Sequence, residues 1–217
     1  MGERSYRCLA TTPGGFVQQL AVQYVAHGYW FYVPGRIPEQ KDPEAVDRKF
    51  IERYGLGISS SERARRKRAG IANVQYLRYG HTFVLVATHG RGRFFEEERR
   101  FRDFRRQAFR FEGYSISHRS GRPSVRIDLE EYRRLKAWFL ELACHRRAAD
   151  LVEALRQLPF EPYAPVRGQF IGLLRAVNNA RATAGFEPVP FSALRLRRRI
   201  YRPFEPQEAA AGDLAAA

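Results

Sequence analysis

The sequence predicts an α+β fold: a small antiparallel or mixed sheet with helices on one face, followed by a C-terminal helical extension. Three observations carry that expectation. Runs dense in Val, Tyr, Phe and Trp interleave with segments of helical spacing, in the order β-α-β-β-α-β-β-α-α. The joins between strand-like runs are short and turn-forming, at Tyr79-Gly80 and Ser120-Gly121, which suits antiparallel pairing better than long parallel crossovers. The last third of the chain reads as helix interrupted by proline.

Each element follows from local chemistry. After a polar entry with Pro13, Gly14 and Gly15, residues 16–38 are rich in β-branched and aromatic side chains and read as β structure, at most preceded by one helical turn; Pro34-Gly35 and Pro38 end it. Asp42-Pro43 opens a helix over 43–55, with Val46, Phe50, Ile51 and Tyr54 at helical spacing and Gly55 as its stop. Residues 58–70 are either an exposed loop or a short basic helix capped by Ser60 or Ser61. Residues 71–90 give two strands, the second nearly continuously apolar and suited to burial on both faces. Helical charge patterning covers 93–111, and a hairpin covers 111–129. Asp128 caps a long helix over 128–158 whose stripe is Leu129, Tyr132, Leu135, Trp138, Phe139 and Leu142. A second helix spans 166–185 and ends at Gly185. Residues 186–207 read as an extended basic arm. The expected domains are a basic α+β core over 1–127, a helical extension with the arm over 128–204, and a disordered Ala-rich tail over 205–217.

Charge is the strongest pointer to function. The chain has 217 residues, 38 basic against 23 acidic, for a formal net charge of +15. Only Lys41, Lys49, Lys67 and Lys136 are lysine; the other basic residues are arginine, which forks onto phosphate and stacks on bases. Basic residues interleave with aromatics, which neutralise phosphate and stack on unpaired bases respectively. The candidate nucleic-acid contacts are Arg63, Arg65, Arg66, Lys67, Arg68, Arg78, Arg91, Arg93, Arg119, Arg122, Arg126, Arg195, Arg197, Arg198, Arg199 and Arg202. The leading partner is nucleic acid, DNA before RNA. A basic module that docks on an acidic protein is the alternative from another class.

Several classes find no support. Cys8 and Cys144 are far apart and form no CxxC, which argues against a zinc ribbon and a disulfide scaffold. No dinucleotide or P-loop glycine motif occurs. No run is long enough to cross a membrane and no signal-peptide core opens the chain, so the expectation is a cytoplasmic protein without a membrane partner. The one dense carboxylate cluster, Glu96, Glu97, Glu98 and Asp103, is interleaved with arginines at i,i+3 and i,i+4 spacing and reads as a salt-bridged face before a metal site.

One constellation could carry chemistry. An apolar strand begins Gly80-His81-Thr82-Phe83, and a later helix carries Tyr132 with Lys136 one turn on. Over roughly residues 16–140 this arrangement resembles the HUH single-strand endonucleases, the rolling-circle replication initiators and single-tyrosine transposases. The resemblance implies a mobile-element replication or transposition protein with a degenerate HUH-like core. A further alternative from another class is a metal-dependent nuclease or nicking enzyme using His81, Glu97 and Tyr132 with Mg²⁺ or Mn²⁺; otherwise no cofactor is expected. The departure is Phe83, which stands at the second histidine position and cannot bind a metal.

Overall fold

Helix formation starts at Thr12. Its hydroxyl accepts from Gly15 N and Pro13 holds the first helical position, so the sequence supplies both cap and preset φ for α1 (Pro13–Gln18). In the computed structural model, which describes residues 6–206, this helix runs on as a π-helical segment (Gln19–Tyr24) and a 3₁₀ turn (Val25–His27), ending at Gly28 with φ 93°. The β reading of 16–38 is therefore correct only for β1 (Phe31–Arg36). Phe16, Val17, Leu20, Ala21, Tyr24 and Val25 are all buried, a helical rather than alternating pattern, and that packing overrides their β propensity.

The fold is α+β, as expected. The chain divides into two compact units, one comprising the residues to Gln107 and those from Tyr201, the other Ala108–Ile200. The boundary expected at 127/128 is thus misplaced. The hairpin before it buries its apolar face within the second unit, against the helices that follow.

The first unit holds a four-stranded antiparallel sheet in the order β2-β3-β1-β4, with β2 (Val74–Tyr79), β3 (Thr82–Ala87) and β4 (Arg102–Asp103). α2 (Pro43–Tyr54) starts at Asp42, whose carboxylate accepts from Glu44 N and Ala45 N, and stops at Gly55. It lays Phe50, Ile51 and Tyr54 on the sheet face that carries Val74, Tyr76, Phe83 and Leu85. α1 contacts β2, and on the sheet's other face Tyr32, Leu77, Val84 and Val86 are fully buried. The sheet is covered on both faces, not one. α3 (Ser60–Arg68) is a helix, capped by Ser59 rather than Ser60 or Ser61. Of the helix expected over 93–111, only α4 (Arg93–Glu97) forms; the chain then turns to pair β4 with Phe31 and Tyr32.

The second unit begins with the meander β5 (Phe109–Phe111), β6 (Tyr114–Arg119) and β7 (Arg122–Ile127). Ser120 and Gly121, with φ 51° and 75°, make its tight turn. α5 (Leu129–Ala143) is capped by Asp128, and α7 (Ala164–Thr183) packs on both α5 and β7. The long helix expected over 128–158 breaks, and α6 (Ala148–Arg156) is separate. Arg181 of α7 explains where: its guanidinium donates to Ala143 O and Arg146 O at 2.6 and 2.9 Å, satisfying carbonyls at the broken end. Of the expected stripe, Phe139 is buried, but Leu129 and Trp138 are 56% and 46% exposed, because only one side of α5 meets α7.

The arm expected over 186–207 is not free. Arg195 donates to Glu161 Oε1 and Phe160 O, and Arg199 N donates to Glu161 Oε2. Farther on, Gln18 clamps the backbone of Tyr201 through both its amide atoms. Of the tail expected over 205–217, Glu205 is described and its carbonyl accepts from Thr11 Oγ1; residues from 207 on lie outside the described residues.

Candidate nucleic-acid interface

The π segment turns one polar stripe outward. Gln19, Gln23 and His27 follow at four-residue intervals, and with α3 they line a groove of about 1370 Å³ in the first unit. Arg7 enters from the N-terminal segment, Arg63 and Lys67 from one face of α3, and Tyr6, Tyr24, Tyr29, Asn73 and Gln75 form the inner wall. Among the described residues, no carboxylate lines the groove. Burial raises the hydroxyl pKa values of Tyr6, Tyr24 and Tyr29, so the tyrosines stay neutral and add no negative charge. The potential in the groove is therefore set by the three cations. The amides and hydroxyls supply neutral hydrogen-bonding groups beside them.

Arg63 is held in place. Arg63 donates through one Nη to Ile58 O at 2.7 Å, and its own carbonyl accepts from Asn73 Nδ2. Asn73 N in turn donates to Thr88 Oγ1 at 2.9 Å. α3 is thus tied to the ends of β2 and β3, although none of its own residues is buried.

A smaller pocket of about 310 Å³ lies on the other side of α3, lined by Arg53, Arg66, Arg93 and Gly92 among others. Here charge is largely spent internally. Glu97 accepts from Arg53 Nε and pairs with Arg93 at 3.4 Å. Tyr54 donates to Glu98, and burial, then that carboxylate, pushes its hydroxyl pKa well up.

The remaining sequence candidates scatter. Arg65, Lys67 and Arg68 are exposed on α3, with Arg65 paired to Glu62. Arg91 is exposed, with its backbone bonded to Gly70 and Ala72. Arg119, Arg122 and Arg126 are exposed in the second unit, on the meander's face opposite Ile116 and Val125. Arg197 and Arg199 are exposed, Arg198 sits 4.9 Å from the Tyr163 ring centre, and Arg202 pairs with Glu205. One candidate is corrected outright: Arg78 is 5% exposed and bound to the Asp47 carboxylate, an internal counter-charge rather than a surface contact. Arg195 is half-buried and engaged with buried Glu161.

His81 and Glu97 do not form one site, and Tyr132 belongs to the second unit. His81 sits in the β2–β3 turn, where its backbone carbonyl accepts from Ile37 N and its Nδ1 bonds Ile37 O at 3.1 Å. Since a carbonyl only accepts, Nδ1 carries the proton. Glu97 lies beyond the opposite end of β3, a strand of six residues and thus about 20 Å. Tyr132, in the second unit, donates to Gln169 O at 3.1 Å. Phe83 packs its ring 5.2 and 5.7 Å from those of Phe50 and Tyr76 and lies across Gly35, where any Cβ would strike it. Among the described residues, no three His, Cys, Asp or Glu side chains are grouped to hold a metal, the 96–103 cluster included.

No protein-family model matches the chain, and no curated protein matches it. Among the described residues, no helix is long and apolar enough to cross a membrane. Sequence reasoning missed Arg7, Gln19, Gln23, Tyr24, Tyr29, Asn73 and Gln75. The i,i+4,i+8 spacing of Gln19, Gln23 and His27 within an apolar run was the available signal, and it is invisible once that run is read as a strand.

Proposed function

We propose that this protein binds nucleic acid through an electrostatic, sequence-tolerant contact, with DNA as the first candidate, and that the groove between the π segment and α3 is its central site. The observation that carries the reading is convergence: Arg7, Arg63 and Lys67 meet in one groove with no carboxylate among its described lining residues. A phosphate backbone neutralises such cations and releases its own counterions, so affinity falls with salt. The exposed arginines of α3 extend the positive surface outside the groove.

Titrating a labelled random-sequence oligonucleotide at several salt concentrations tests this. A linear fall of log affinity with log salt is expected. The double variant Arg7→Gln/Lys67→Gln should bind about tenfold more weakly and lower the slope by about two released ions. Salt-independent binding, or a double variant that binds like the parent, overturns the proposal.

A role in mobile-element replication or transposition is the setting the HUH resemblance supplies. It calls for strand cleavage or a covalent adduct when single-stranded DNA is incubated with the protein and Mn²⁺. If neither forms, the binding reading stands without that setting.

A further inference from the structure

An aromatic cluster stands at one end of the first unit's sheet, on the face that carries α2. Tyr29 and Thr88 line the groove. Their chain neighbours Trp30, Phe31 and His89 stand at the same end of the sheet, where Phe31 pairs with Ala87. Phe101 joins them. Its ring centre lies 5.6 Å from that of Phe31 and 5.2 Å from that of Phe95, nearly perpendicular to both. Phe101 is nonetheless 39% exposed, while its neighbours Phe94 and Phe104 are fully buried. A phenylalanine held rigidly and left open presents apolar ring surface at no ordering cost to a ligand.

The cluster is rimmed with cations. The Arg105 guanidinium lies 4.6 Å from the Trp30 ring centre and 5.5 Å from that of Phe31, oriented by two-pronged bonds to Asp103. Arg99, Arg100 and Arg102 flank Phe101 in sequence and are exposed. Of the nearby carboxylates, Glu97, Glu98 and Asp103 are already engaged by Arg53, Tyr54 and Arg105, and Glu96 is exposed. Open aromatic rings ringed by arginine suit a ligand with flat rings on an anionic backbone. A duplex hides its base faces in its own stack; an unpaired strand offers them.

From this we infer that the Phe31–Phe95–Phe101 cluster is a base-stacking platform, and that the preferred ligand is an unpaired strand. The inference rests on the nucleic-acid reading above and deepens it: the arginines around the cluster hold the backbone while Phe101 takes a base.

The test uses the full chain carrying Trp138→Phe, which leaves Trp30 as the sole tryptophan. It is titrated with an oligodeoxyribonucleotide, an oligoribonucleotide of the same sequence, and the corresponding DNA duplex. At least one single strand should bind about tenfold more tightly than the duplex and quench Trp30 fluorescence. Phe101→Ala should lose that preference, about tenfold in single-strand affinity, with duplex affinity and salt slope unchanged. Phe101→Tyr should restore it, which separates stacking from a folding defect. If the parent and Phe101→Ala bind single strands equally while salt-sensitive binding persists, the platform is wrong and the nucleic-acid reading survives. If no probe binds in a salt-sensitive way, both fall. If Phe101→Ala changes only the oligomeric state, the cluster is a protein contact and the inference is overturned.

Discussion

At the scale of single residues, arginine serves two purposes here, and burial decides which. Arg78 lies on the same strand face as Val74 and Tyr76, facing α2. Its Nε lies 2.8 and 3.0 Å from the two Asp47 oxygens, and one Nη donates to Asp47 Oδ2 at 2.6 Å. Its other Nη donates to Gly80 O, and Tyr76 adds a hydroxyl bond to Asp47 Oδ1. These bonds, ahead of the opposing effect of burial, raise the Arg78 pKa further. A buried charge whose partner is removed costs about 3–5 kcal/mol. Asp47→Ala should lower the unfolding free energy by about that amount in denaturant titration, while protein that remains folded binds nucleic acid as before. A loss under about 1 kcal/mol would mean that water reaches the pair. The alternation of VQYLRY was legible, and it placed Arg78 beside Tyr76. Its counter-charge, 31 residues away on another element, was not. Nothing local distinguishes an arginine facing Asp47 from one facing a phosphate.

At the scale of elements, α3 is the one whose stability and proposed function are most directly linked. It buries none of its residues, so its stability comes from its ends and its ties rather than from an apolar face. Ser59 Oγ accepts from Glu62 N, Glu62 lies in the first turn, and the last turn is all basic, matching the helix dipole at both ends. Loss of a Ser cap costs about 1 kcal/mol. Ser59→Ala should therefore speed amide exchange in α3 about fivefold, with little change in the global melting temperature. Exchange unchanged in α3 would show that the Arg63–Asn73 tie alone holds it. Elements with explicit punctuation were readable: Asp42-Pro43 to Gly55, the Ser120-Gly121 turn, and the Asp128 cap all stand where the sequence puts them. Misreadings fall where composition and periodicity disagree. The run from Phe16 to Val25 has strand composition but helical spacing, and packing follows the spacing. Residues 98–106 have helical charge spacing, yet the chain leaves the helix to pair with β1, a long-range bond no local pattern announces.

At the scale of the whole molecule, titration separates the folded state from the proposed contact surface. In the first unit, burial raises the pKa values of Tyr6, Tyr24, Tyr29 and Tyr32 above the ordinary phenol, and pushes Cys8 up to about 12. Raised pKa values mean that the fold favours the protonated form. Below the unfolded values, about 8.5 for Cys and 10 for Tyr, both states are protonated and this contribution to stability is complete. As pH rises past them, the unfolded chain ionises first, and stability falls until the folded groups can ionise too. Arginine, by contrast, stays charged beyond about pH 12, and Arg7 and Arg63 supply two of the groove's three cations. Neutral tyrosines also leave the groove without new negative charge while it stays folded. Two observables should therefore move together on the alkaline side. Tyrosinate absorbance from the buried tyrosines should appear in one cooperative step that coincides with loss of far-ultraviolet dichroism, rather than in a gradual rise near pH 10. Oligonucleotide affinity should decline only slightly before that step and then collapse with it. If the buried tyrosines titrate near their ordinary value with dichroism intact, the inner wall of the groove is open to water. The neutral, cation-dominated groove proposed here would then acquire anions at the pH where it is supposed to hold them.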